Sequence, residues 1–241
     1  GDARAKPMVH FGDVAGNVYG VDLVTGAQVW KIKADAHPAV IITGTPTLHR
    51  GTLYVPTSSN EEAFATHPGY NCCSFRGSIL ALDAATGREK WRTWLVGEPV
   101  KRGTTKDWSD WVGPSGVAVW NSPIVDARRG QLIFATGDNY SLPDTDLSDA
   151  VMALDLRTGR IRWQHQVLAG DAWNVACVVK TSASCPDEQA PDFDFGAGTV
   201  LARGNNGREY VLAGQKSGWV YAFDPANGRL AWKTRVGRGS P

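Results

Sequence analysis

The sequence predicts an all-β chain of about four β-propeller blades. A turn-plus-tryptophan motif recurs four times, 27 glycines and 10 tryptophans stand in 241 residues, and no long apolar run is present. The repeated unit reads GNVYGVDLVTGAQVW (16–30), GSILALDAATGREKW (77–91), DAVMALDLRTGRIRW (149–163) and GWVYAFDPANGRLAW (218–232). In each copy an aspartate is followed three residues later by Thr or Asn, then by Gly, and eight residues later by Trp. The tryptophans Trp30, Trp91, Trp163 and Trp232 are 61, 72 and 69 residues apart.

Each unit has the pattern of a β-hairpin. Alternating apolar residues such as Val18 and Val21, or Leu80 and Leu82, predict a strand with one buried face. In the Asp-x-x-Thr-Gly segment the aspartate is suited to accept local backbone N–H bonds, and the glycine to take a positive φ. The next strand carries the Trp, whose ring can dock between neighbouring sheets. One such sheet cannot bury both faces alone, so the units must stack. A further strand pair in three of the units is expected from residues 43–57, 120–137 and 198–215, each an apolar run, a Gly-containing turn and a second apolar run. The span 1–241 reads as a single domain. Four blades rarely close a stable ring, so these are expected to be part of an eight-bladed one, completed by further blades or by a second copy. The spacings of 61 to 72 residues leave room for long loops, where function tends to sit.

Composition excludes some partners. A net charge of +1, from 25 basic and 24 acidic residues, gives no reason to expect nucleic acid or an anionic membrane. No apolar stretch approaches the roughly 20 residues of a membrane-spanning helix. The four cysteines, Cys72, Cys73, Cys177 and Cys185, fit neither a haem-attachment nor a paired zinc motif. Disulfides are the favoured reading, with a periplasmic or secreted location, against four reduced buried thiols.

The motif A-x-D-x-x-T-G-x-x-x-W resembles the tryptophan-docking repeat of pyrroloquinoline-quinone (PQQ) dehydrogenases and of their cofactor-free propeller relatives. The segments NCCSFRGS, GPSGVAVWNSP, ATGDNYS, AGDAWN, PDFDFG and AGQKSGWVYAFD look most like polyvinyl-alcohol dehydrogenases. The resemblance implies a PQQ-dehydrogenase-type propeller that uses PQQ and calcium to oxidise an alcohol. Without a C-x-x-C-H motif, electrons would leave to a separate acceptor such as a cytochrome c. By the same resemblance a Cys72–Cys73 ring would pack against the quinone, the alternative being two unlinked thiols. Arg76 would hold a quinone carboxylate, Trp120 would lie under the ring system, and Lys216 would face its carbonyls.

For the metal, Glu61 takes the position of the family's ligating glutamate, with Glu62 as a substitute, and Asp138 or the adjacent Asn139 takes that of its asparagine. The family's D-x-W-D motif is here Asp171, Ala172, Trp173 and Asn174. An amide at the last position cannot act as the base, so Asp171 is the expected catalytic residue, with Asp194 as a second candidate. Cys177 and Cys185 are expected to close the loop that follows. The competing reading is a cofactor-free scaffold like the outer-membrane assembly factors, which needs the docking repeat but has no use for this set of site residues.

Overall fold

The Asp-x-x-Thr-Gly turn forms four times with one geometry. In the computed structural model, which describes residues 7–187 and 190–240, the Gly26, Gly87, Gly159 and Gly228 N–H groups donate to the carbonyls of Asp22, Asp83, Asp155 and Asp224. Each of these glycines has φ between +70° and +72°, a region that L side chains rarely adopt. The aspartate side chains cap the turns as well; Oδ1 of Asp155, for example, accepts the Arg157 and Thr158 N–H groups at 3.0 Å. The ends of the expected span 1–241, and residues 188–189, lie outside the described residues.

Around these turns the chain builds consecutive antiparallel meanders. The first sheet has three strands, Met8–Gly12, Asn17–Asp22 and Gln28–Lys33. The second pairs Thr47–His49, Thr52–Pro56, Ser78–Asp83 and Glu89–Trp94 in that order. The third is Ile124–Asp126, Gln131–Ala135, Ala150–Asp155 and Ile161–Gln166, and the fourth Val200–Arg203, Glu209–Gly214, Trp219–Phe223 and Leu230–Arg235. Within each, every strand pairs with its predecessor, the topology of a propeller blade.

Burial departs from the one-faced strand expected from sequence. All of Ile79, Leu80, Ala81 and Leu82 are fully buried. Because side chains alternate along a strand, Leu80 and Leu82 pack toward the first sheet with Val18, Leu53 and Val55. Ile79 and Ala81 pack toward the third sheet with Leu132, Phe134 and Met152. The third sheet is covered on its other face too, where Ile133, Val151 and Ala153 meet Val211, Ala213 and Phe223 of the fourth. An inner sheet is thus apolar on both faces because a neighbour covers each.

The tryptophans lock these seams. Trp30, Trp91 and Trp163 each pair across their own sheet with a small residue, Gly20, Ala81 and Ala153. Each indole lies against the turn glycine of the following sheet, where a Cβ on Gly87, Gly159 or Gly228 would come within 2.4–2.7 Å of the ring. Each Nε1–H also donates to a carbonyl of that turn: Trp30 to Ala84 at 3.1 Å, Trp91 to Leu156 at 3.3 Å and Trp163 to Pro225 at 3.1 Å. The motif glycine therefore serves twice, for its positive φ and for the ring that rests on it.

Candidate active site

The loops leaving the sheets gather carboxylates that lie far apart in sequence. Asp138, three residues past the third sheet's second strand, is almost wholly buried, and its Oδ2 has no hydrogen-bond partner. Its backbone N–H donates to Asp194 Oδ1 at 2.7 Å. Asp194 Oδ2 and Asp192 Oδ1 each accept from Lys216 Nζ at 2.7 Å, so one ammonium bridges two carboxylates spaced i, i+2. That ammonium also lies 5.6 Å from the centre of the Trp120 ring. Gly137 and Gly196 leave room for this indole, since a Cβ on Gly196 would meet its edge at 2.6 Å. Trp120 keeps part of its surface open and packs beside a buried cluster that includes Cys72, Cys73 and Tyr140.

The electrostatics follow from burying several like charges together. Burial, then Asp194 and Glu62, push the Asp138 carboxyl well above the usual range. Burial and Asp194 raise Glu62 to about 8, and the same two causes raise Asp192 to about 7 although Lys216 opposes them. Burial would lower the Lys216 ammonium, but Asp194 and Asp192 hold it above its ordinary range. Asp149 is fully buried at φ +48°, with neither carboxylate oxygen hydrogen-bonded. Burial and the charges of Asp194, Asp171 and Asp192 raise it to about 9.

Several residues expected at the reacting centre have other partners. Glu61 opens the short helix Glu61–Phe64, and its carboxylate accepts from Ser74 N at 2.8 Å, Phe75 N at 2.7 Å and the Tyr70 hydroxyl at 3.0 Å. His37 Nε2 lies 3.4 Å away. Burial would raise this carboxyl, yet His37 and the backbone donors hold it below the usual range, and it clamps the Cys72–Cys73 loop. Its neighbour Glu62 is the carboxylate whose charge acts on Asp138.

Asn139 is likewise committed to the backbone. Its Nδ2 donates to Ser115 O at 2.9 Å and its Oδ1 accepts from Thr145 N at 2.8 Å. Arg76 Nη1 bonds Glu98 Oε2 at 2.5 Å and its guanidinium lies over Trp94. Asp171 is buried and accepts the backbone N–H groups of Asp192 at 3.2 Å and Phe193 at 2.9 Å. It positions the segment that carries Asp192.

Asn174 shows why an amide replaces the carboxylate. Its Nδ2 donates to Tyr140 O at 3.0 Å and Ser184 O at 2.8 Å, while its Oδ1 accepts from Ala176 N at 3.0 Å. A carboxylate has no proton for two carbonyls. Both disulfides form, Cys72–Cys73 and Cys177–Cys185, and no free cysteine remains among the described residues.

Sequence reasoning did not single out Asp192 or Asp149. Asp192 had one local signal, its i, i+2 spacing to Asp194, although its φ of +54° takes the chain out of the extended conformation there. Asp149 stands just ahead of a blade strand and carries no such signal. Of Glu62, Asp138 and Asp194, whose charges act on one another, Asp138 keeps an unpartnered buried oxygen, the type of donor that a hard cation takes. Among the described residues no three acidic, histidine or cysteine side chains converge tightly enough to enclose an ion as they stand. The partly open Trp120 ring beside a fixed ammonium fits a flat anionic group.

The profile of a family described as outer membrane protein assembly factor BamB matches residues 14–240. The chain is 41% identical over 240 residues to a polyvinylalcohol dehydrogenase of a Pseudomonas species, covering 99% of this chain and 37% of that protein. It is 24% identical over 256 residues to a quinohemoprotein alcohol dehydrogenase of Comamonas testosteroni, covering 95% and 32%. The chain thus spans about a third of the length of these relatives. The crystal structure of the Comamonas testosteroni enzyme superposes with a TM-score of 0.68 at 22% identity over 95% of this chain and 34% of that one, a likeness of fold. With a repeat profile matched from residue 14 to residue 240, this chain belongs to the PQQ-repeat β-propeller family, and the sequence relatives along nearly its whole length are named as alcohol dehydrogenases.

Proposed function

We propose that this chain forms the cofactor- and substrate-facing part of a PQQ- and calcium-dependent alcohol dehydrogenase. Its substrate is an alcohol of the polyvinyl alcohol type, and its electrons pass to a separate acceptor such as a cytochrome c. The observation that carries this reading is Lys216, held by Asp192 and Asp194 with its ammonium over Trp120. The substrate class comes from the relatives that are named for polyvinyl alcohol. A periplasmic or secreted location suits the two disulfides.

Bound PQQ would supply a two-electron quinone acceptor, and calcium would supply Lewis acidity. Trp120 would carry the flat ring system on its open face, and Glu62, Asp138 and Asp194 would hold the cation. Lys216 brings a fixed positive charge to the place where negative charge develops. Asp192 is the better base than Asp171: its carboxylate is raised to about 7 and its Oδ1 is fixed by Lys216, whereas both Asp171 oxygens are taken by backbone N–H groups. Asp192 would accept the hydroxyl proton of the alcohol, and Asp171 would hold that carboxylate in place.

The assembly-factor description of the matching profile favours the scaffold reading. A scaffold has no use for Asp138 and Asp149, buried with unpartnered oxygens beside further acids, because such burial costs stability without a ligand to offset it. Equilibration with PQQ and calcium followed by desalting tests the two readings. Quinone absorbance retained with calcium and lost with chelator supports the enzyme; absence of quinone under both conditions refutes it.

A further inference from the structure

We propose that a second site, the cleft between the Val100–Gly113 hairpin and the loop closed by Cys177–Cys185, binds the carbon chain of a polyhydroxylated substrate, a backbone bearing hydroxyls on alternate carbons. The proposal rests on the alcohol-oxidation reading and adds where the rest of a long substrate lies.

The cleft has a volume of about 580 Å³ and is lined by Cys72, Thr104, Lys106, Trp111, Ser184 and Pro186 among others. Neither Trp120 nor Asp138, Asp192, Asp194 or Lys216 lines it; of the residues expected at the quinone, Cys72 alone does, from the far side of the buried cluster beside Trp120. It backs onto the carboxylate centre through Asn174. The Asn174 amide binds Tyr140 O and Ser184 O and approaches Cys72 Sγ at 3.9 Å, joining the cleft wall to the segment that follows Asp138.

Its walls are fixed. The hairpin pairs Val100–Thr104 with Asp110–Gly113, and Trp111 forms a bridge to Cys72. Across the opening, Asp107 Oδ2 accepts the Ala183 N–H at 3.2 Å, tying hairpin tip to disulfide loop. Asp107 is itself held by the Thr105 and Ser109 hydroxyls, which keep its carboxyl below the usual range. A cleft built by two braced segments is pre-formed, and its volume lies in the range of roughly 300–1,000 Å³ that suits a multi-group ligand rather than a small alcohol.

The lining chemistry selects the ligand. Trp111 exposes an indole, and Ala183 and Pro186 add partly open apolar surface for methylene groups, with Cys72 and Ala176 buried behind them. The Ser184 hydroxyl is buried with no hydrogen-bond partner, and Thr104 stands exposed at the rim. A buried hydroxyl without a partner is uncommon, and a ligand hydroxyl would satisfy it. A chain alternating CH2 with CHOH presents both kinds of surface at close spacing.

Titration calorimetry of the full chain with pentane-2,4-diol and with a polyvinyl alcohol oligomer tests this. The oligomer is expected to bind at least about tenfold more tightly than the diol. Trp111→Ala should remove about that factor for the oligomer alone, and Ser184→Ala about fivefold, the worth of one hydrogen bond. Ser184→Ala, a small change, keeps the test valid if Trp111→Ala fails to fold. Equal affinity for oligomer and diol, or oligomer binding unchanged in the variants, overturns the proposal. So does a preference for polyacrylate that Lys106→Ala abolishes, since that marks an anion site. Loss of PQQ retention with oligomer binding intact refutes the enzyme reading and not the cleft.

Discussion

Asp149 gains nothing from hydrogen bonds and is surrounded by like charge, so its ionisation works against the fold. With its folded pKa raised to about 9 against an ordinary value of 3.8, the stability that it contributes is complete below about pH 4 and is lost as the pH rises toward 9. Glu62, raised to about 8, and Asp192, raised to about 7, act in the same sense. The lowered carboxyls Asp13 and Asp155, at about 2, lose their contribution only as the pH falls below about 4, so the two windows do not overlap. The metal-free chain should therefore melt at a lower temperature at pH 8 than at pH 5, and Asp149→Asn should flatten that slope; calorimetric melting across this range reads both. Asn174→Asp should be destabilising by roughly 2–4 kcal/mol, because it sets a buried carboxylate against the Tyr140 and Ser184 carbonyls. Urea unfolding measures it, and a variant as stable as the parent would show that the amide is not needed as a donor. Asp171→Asn places an amide where two backbone N–H groups now converge; with Asp192 as the proposed base, it should lower kcat about tenfold or more and shift the acid limb of the rate profile. An unchanged acid limb would separate Asp171 from Asp192.

At the scale of elements, what could be read from the sequence was what is local. The Asp-x-x-Thr-Gly turn and its tryptophan lie within nine residues of one another, so the offsets disclose the hairpin, its turn glycine and its ring. The site is instead assembled from loops between residues 62 and 216, and fixed offsets cannot tell which of two adjacent acids turns inward. The short helix Glu61–Phe64 decides that, sending Glu61 to the Ser74 and Phe75 N–H groups and leaving Glu62 for the cluster. The partners of Asp171 were hidden for a similar reason: two backbone donors that no sequence pattern shows lie opposite it. The pairing of Cys177 with Cys185 was legible, and it closes a loop only 8 residues apart in sequence. Loop-closure entropy assigns such a staple about 2.5 kcal/mol. Replacing both cysteines with serine should cost about that much in urea unfolding, while Trp120 and Lys216, on other segments, should keep their contact.

Across the whole molecule, stability resides in the seams between sheets, and the seams are unequal. Trp163 is almost wholly buried, stacked on Gly228 and bonded to Pro225 O, whereas Trp232 carries the same motif with 42% of its surface exposed. Correspondingly, nothing lies within 4 Å of where a Cβ on Gly26 would stand, although Gly87, Gly159 and Gly228 each meet an indole there. Identical sequence units thus have different energetic weight, set by whether a following sheet covers the ring. Removing a buried aromatic leaves a cavity and an unpaired carbonyl, so Trp163→Ala should cost about 3–5 kcal/mol. Trp232→Ala, losing a half-open ring, should cost less than about 1 kcal/mol in the same chain. Equilibrium unfolding of the two variants side by side tests this. Equal losses would mean that the ring stabilises its own sheet, through the Ala153 and Ala222 pairings, rather than the seam to the next one.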